Sequence, residues 1–229
     1  MSFYFVIVLA FTGIGLILNS RLKSVFNKNS KIPTSSGLTG AEVAKAMLDH
    51  YGIYDVKIVP GRGALTDHYN PLTKTIALSE PVYNSRSVAA AAVAAHECGH
   101  AVQHAEAYSM LTLRSNLVPV VQFSSSVQQF LFIGLFVLGG TAMFSSNMMM
   151  GIFAATFGVT ALFALITLPV EFDASKRALA WLDDTNITHG AEYDGARDSL
   201  WWAAMTYVNN ALMSLAIFLF FLLRFMGND

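Results

Sequence analysis

The stretch Ala94-Ala95-His96-Glu97-Cys98-Gly99-His100-Ala101-Val102-Gln103-His104 decides how the rest of the chain is read. The residues leading into it, from Val88 to Ala95, are mostly alanine and predict a helix. Positions four apart share a helix face, so His96 and His100 point the same way and can grip one metal ion. Glu97 stands one residue round from the pair, where it can reach a water held at that metal. Two imidazoles leave a third ligand to come from elsewhere in the chain. Cys98, at a variable position of the pattern, reads as a small packing residue.

Composition sets the surroundings. Of 229 residues, 54% are hydrophobic and only 13% charged, against roughly 25% charged in an average soluble domain. That deficit points to a membrane. A formal net charge of -1 offers no basic field for phosphates and excludes a nucleic-acid binder. One cysteine excludes an internal disulfide and any cysteine-rich zinc module.

Four apolar segments follow from the pattern. Residues 3–18 are apolar, and Arg21, Lys23, Lys28 and Lys31 come after them. A cleaved signal peptide carries its charge before the apolar run, so this segment reads as an anchor with its N-terminus outside. Residues 32–40 are a linker. Thr39-Gly40-Ala41-Glu42 is a capping box opening a helix that stops by Gly52. Residues 56–59 and 75–78 predict short strands. Between them, the polar run from Leu65 to Leu72 is either a turn at Asn70-Pro71 or a strand edge that lines a site and pairs with peptide backbone. The motif helix is expected to start at Ser85 or Ser87 and to end near Ala107. From residue 117 the chain is apolar, but Gln122, Ser124, Ser125, Ser126, Gln128 and Gln129 interrupt it. Polar groups at membrane depth need protein or water around them, and one expectation is a wet cavity that admits membrane-protein segments. Residues 130–144 and 148–170 then form an apolar hairpin, with an uncharged tip at Ser145-Ser146-Asn147. Residues 171–182 predict a helix, 183–190 a loop. The last helix begins near Glu192 and is apolar from 207 to 226, with Trp201 and Trp202 at the level of an interfacial belt.

Threading these spans tests the motif. With residue 21 inside, the motif helix is inside and the hairpin returns the chain to the same side at Val170. Glu171 therefore emerges beside His96 and His100. Arg114 before the hairpin and Lys176 and Arg177 after it agree with that orientation. His104 cannot be the third ligand, since it lies ~12 Å along the helix axis from His96. His68 is a second candidate, and Glu171 is favoured. A zinc ion held by two imidazoles and a carboxylate keeps an open position for water and polarises a carbonyl, with Glu97 as the proton acceptor. An oxyanion donor is also needed, and His68, Tyr69, Tyr207 and Arg197 compete for that role.

The run from Ala91 to Gln103, the segment from Leu65 to Pro71 and Glu171-Phe172-Asp173-Ala174-Ser175 together resemble the YugP-type neutral zinc metallopeptidases of bacterial membranes. More distantly, the chain is similar to the HtpX-type and CAAX-prenyl membrane proteases, which carry Glu-x-x-Ala-Asp after a membrane hairpin. Here Glu171, Ala174 and Ser175 stand at those positions, so serine replaces the aspartate and Asp173 is a substitute for it. The resemblance implies a peptidase in which a strand just before the motif helix cradles substrate, at residues 75–79 or 65–69.

The expected fold is a mainly α integral membrane protein with about four transmembrane helices and a small α+β zincin-like catalytic domain at the membrane face. Residues 1–20 form the anchor, 21–115 the catalytic domain, 116–170 the hairpin, 171–206 the helical part that completes the site, and 207–229 the last span. The expected function is zinc-dependent endopeptidase action on membrane or misfolded proteins at the cytoplasmic face of a bacterial cell membrane. The alternatives are a non-proteolytic membrane adaptor with a structural metal, and a zinc hydrolase of a non-peptide substrate. Partners are a protein or peptide substrate and the lipid bilayer, with no nucleic acid; a homo-oligomer or a membrane-protein partner is compatible with this arrangement.

Overall fold

The fold is described from a computed structural model over residues 2–63, 66–137 and 147–227. Leu65 and the hairpin-tip residues Ser145 and Ser146 lie outside the described residues. In chain order the elements are α1 (Ser2–Asn29), α2 (Gly40–His50), β1 (Lys57–Gly61), β2 (His68–Asn70), β3 (Thr75–Ser79), α3 (Glu80–Tyr83), α4 (Val88–Ala105), α5 (Ser109–Val137), α6 (Asn147–Asp184) and α7 (Ala191–Met226). Four of them, α1, α5, α6 and α7, are long and apolar enough to cross a membrane.

The chain forms two compact units. One holds Met1–Ile17, Thr112–Leu168 and Thr206–Asp229; the other holds Leu18–Leu111 and Pro169–Met205. Helices α1, α5, α6 and α7 each contribute to both. The first unit is an apolar bundle with an aromatic core. Phe153 and Phe157 of α6 stack on Phe221 of α7 at centroid distances of 4.8 and 5.3 Å, and Tyr4 and Phe132 join them. Gly15 lets Asn209 of α7 come close to α1, where its amide donates to the Phe11 carbonyl at 3.4 Å.

The second unit carries the chemistry. Its three strands lie in the order β1-β3-β2, with β1 parallel and β2 antiparallel to β3. Residues 66–72 contain both a short edge strand and a turn. His68–Asn70 is an edge strand, and Asn70 makes the turn after it, its side-chain oxygen accepting from the Leu72 and Thr73 amides at 2.9 and 3.3 Å. Asp67 accepts from the Ser79 amide at 2.7 Å and ties that loop to the end of β3. The capping box of α2 forms as the sequence predicts, with Thr39 and Glu42 bonded reciprocally. Ser87 caps α4.

Three boundaries differ from the sequence reading. α5 begins at Ser109 rather than near 117 and carries Pro119 inside it. α6 runs unbroken through Pro169, so span and ligand-bearing segment are one helix. The short α3, opened by Glu80-Pro81, was not expected; proline suits the first turn, where its missing N–H costs nothing.

Helix α4 is the axis of the second unit. Alanines on nearly every face let its neighbours approach closely, and Val43, Met47, Ile76, Leu78, Trp181 and Leu182 pack around it. Helix α6 comes close to it at Gly99. A Cβ there would lie 2.6 Å from the Ala174 carbonyl oxygen and 3.1 Å from its carbonyl carbon. Those atoms are backbone and cannot swing away. Gly99→Ala should therefore destabilise the unit by about 1–3 kcal/mol, seen as a lower midpoint in denaturant. An unchanged midpoint would mean that α4 and α6 separate freely.

Candidate metal centre

Three side chains converge where α4 crosses α6. His96 and His100 sit one helical turn apart, their rings edge to face with centroids 4.8 Å apart. Glu171 reaches them from α6: its Oε2 lies 3.4 Å from His96 Nε2 and 3.6 Å from His100 Nε2. One ligand atom from each residue falls within 4.8 Å of the others, and among the described residues this is the one such group able to hold a metal. His100 and Glu171 are buried, and His96 is partly open.

Each imidazole is held from behind. His100 Nδ1 lies 3.0 Å from Gln103 Oε1. A carbonyl oxygen only accepts, so Nδ1 carries a proton and, in the neutral ring, Nε2 keeps the lone pair that a metal would take. Gln103 is itself fixed, because its amide donates to the Val170 carbonyl and to Asp173 Oδ2, both at 2.8 Å. Arg177 pairs with Asp173 and Glu106 at 2.6 Å each, so the chain of contacts runs out to the surface. His96 Nδ1 meets Ser175 Oγ at 3.1 Å. A hydroxyl can donate or accept, so this contact orients the ring without dictating its tautomer. Asp173 thus supports the site through Gln103 rather than by touching an imidazole.

The electrostatics suit a cation. Burial by itself would push the Glu171 carboxyl up, but the adjacent His100 and His96 outweigh it and hold the group well below the usual carboxylate range. Burial would lower His100; Glu171 and, further off, Glu97 overcome it and raise that imidazole. Two nitrogen donors and one oxygen donor with rear-held rings match what a zinc ion takes, and the donor set fits that metal. Glu97 is buried next to the pair on α4.

The other residues singled out from sequence take different places. His104 is not in the ligand group; its Nδ1 lies 2.7 Å from the Tyr69 hydroxyl, joining α4 to edge strand β2. Burial, with the Asp55 charge, pushes that phenol up to about 12. His68 is exposed and turns its Nδ1 to the Thr66 carbonyl at 2.9 Å. Arg197 is exposed and paired with Asp194 at 3.0 Å. Tyr207 belongs to the first unit. Cys98 is fully buried against the Ala44 carbonyl, and burial raises its thiol. Gln103 escaped the sequence reading, although a signal was there: it follows His100 by three positions on a helix, the spacing at which side chains meet.

A histidine pair on one helix joined by a carboxylate from another, in a chain with four span-length helices, defines a candidate membrane metallohydrolase. The chain belongs to the family described as "Putative neutral zinc metallopeptidase", which matches residues 4–226. It is 44% identical to the "Putative membrane protease YugP" of Bacillus subtilis over 100% of this chain and 99% of that protein. No solved structure matches.

Removing the rear support should weaken metal binding by about 10–100-fold. Gln103→Leu should do so more than Ser175→Ala, because only Gln103 fixes a tautomer. Competition with a chromophoric zinc chelator measures both, and the reverse order would refute that assignment.

Proposed function

We propose that the chain is a membrane-embedded zinc endopeptidase acting on membrane or misfolded proteins, with zinc on His96, His100 and Glu171 and with Glu97 as general base. The observation that carries this reading is the convergence of the three ligand atoms within 4.8 Å, in a family and beside a relative whose names say zinc metallopeptidase and membrane protease. Bound there, zinc supplies a Lewis acid for a peptide carbonyl and acidifies water. The residues of the chain do the rest. Glu171 supplies negative charge that keeps the cation in a buried site. Gln103 and Ser175 keep the imidazoles aimed. Glu97, next to His96 in sequence, takes a proton from the attacking water and returns it to the leaving amine. The Tyr69–His104 pair on β2 and α4 offers a phenol that keeps its proton at neutral pH and can donate a hydrogen bond to a developing oxyanion.

The substrate class follows from where the site falls along the chain. Glu171 directly follows the apolar run ending at Val170, so peptide bonds near a membrane surface are the ones within reach. Lysines and arginines at 21, 23, 28, 31, 114, 176 and 177 assign that surface to the cytoplasm, with the N-terminus outside.

Two measurements test this. Glu97→Gln should keep its zinc and lose hydrolysis of an unfolded membrane protein by 10²-fold or more, whereas Glu171→Ala should lose zinc; a Glu97→Gln protein with full activity would sink the peptidase reading in favour of a structural metal. For orientation, thiol labelling of Ser36→Cys and Ser146→Cys in sealed cells should reach only Ser146→Cys from outside, Cys98 being buried and silent.

A further inference from the structure

The polar residues that interrupt α5 fall into two sets. Ser124 is buried, and Gln128 turns inward, its amide donating to Thr160 of α6 at 3.3 Å. Gln122, Ser125, Ser126 and Gln129 are exposed, as are Ser115 and Asn116. At 100° per residue Ser115, Gln122, Ser126 and Gln129 share an arc of roughly 60°, so these four form one stripe, with Phe123 and Phe130 exposed along one side of it. Neither glutamine side chain of the stripe has a hydrogen-bond partner among the described residues, and the Ser126 hydroxyl donates to the Gln122 carbonyl of its own helix. The stripe runs deep. No charged residue occurs between Arg114 and Glu171, and at ~1.5 Å per residue Gln122 and Gln129 lie ~12 and ~22 Å beyond Arg114. If α5 crosses the membrane, as the proposed function requires, both amides stand in hydrocarbon, which offers no hydrogen bond.

We propose that this stripe is a homotypic interface, on which α5 of a second copy of this chain packs face to face. The chemistry selects that occupant. Two copies inserted the same way are related by a two-fold axis along the membrane normal, and each residue near the axis meets its own counterpart. Such a residue must complement itself. Glutamine amides and serine hydroxyls both donate and accept, and the polar groups of the stripe are only these, with the apolar Ile133 continuing it past Gln129; a charged side chain would repel its copy. An apolar substrate segment could not satisfy the same groups, whereas amide pairs between spanning helices hold them together.

The test uses the full chain in native membranes, with Cys98 retained because it is fully buried. Gln122→Cys, Ser126→Cys and Gln129→Cys should each give disulfide-linked dimers on mild oxidation. Val120→Cys, exposed but ~120° round from Ser126, should not. Adding Gln122→Leu and Gln129→Leu to Ser126→Cys should cut the dimer yield at least about tenfold, and these changes suit a lipid-exposed helix, so the protein still inserts. Yields equal around the helix, no dimer at any stripe position, or adducts formed only with other membrane proteins would each overturn the proposal. All variants also carry Glu97→Gln, so the outcome does not depend on whether the protein is a peptidase.

Discussion

The approach of two backbones at Gly99 and Ala174 is the constraint from which the site follows. Any side chain at 99 would meet the Ala174 carbonyl, and the helices would move apart by the thickness of that side chain. Residue 99 lies between the two histidines, and residue 174 lies between Glu171 and Ser175. The crossing point therefore sets both the ligand distance and the hydroxyl contact behind His96. Ligand geometry tolerates only a few tenths of an ångström, so one missing Cβ governs whether three side chains make a site. The alanines of α4 serve the same end, because they let α2, α3 and α6 pack near its axis and hold it rigid.

Burying Glu171 against two imidazoles is costly for the bare protein. A carboxylate taken out of water needs compensation, and here the imidazoles give part of it. A divalent cation held there would give the rest. Gln103 lets this work from the far side, presenting an acceptor to His100 while its amide protons satisfy Val170 and Asp173. The unit thus spends a fully buried side chain on aiming one ring.

Much of this was written in the sequence, and the reasons are physical. His-Glu-x-x-His at helical spacing places two ligands by local geometry alone. Glu171 was reachable because the expected spans and charge placement would return the chain to the side of His96 and His100, and the three side chains do converge. The capping box at Thr39 and Glu42 is likewise local. What sequence could not show depends on contacts between distant segments. Gln103 reads as one more polar residue until α6 arrives beside it. Asp173 looks like a direct partner for an imidazole, but only the helix rotation shows it bonded to an amide instead. The continuity of α6 through Pro169 was hidden because proline usually ends a helix, and packing overrides that preference here. On α5, sequence could tell that the polar residues were out of place in a span, but not which of them faced inward.

The division of the site between α4 and α6 also bears on how the protein is made. His100 leaves the ribosome 71 residues before Glu171. At 5–20 residues per second that interval is roughly 4 to 14 s, during which the apolar residues between them are made. Throughout it the motif helix has its histidines but neither the carboxylate nor the Ser175 hydroxyl. If the proposed function holds, a hydrolase of exposed segments would thus lack a complete centre while its own spans are still unpaired. On the proposed function, a last ligand that follows two apolar helices in the chain would leave the centre incomplete until both have been made.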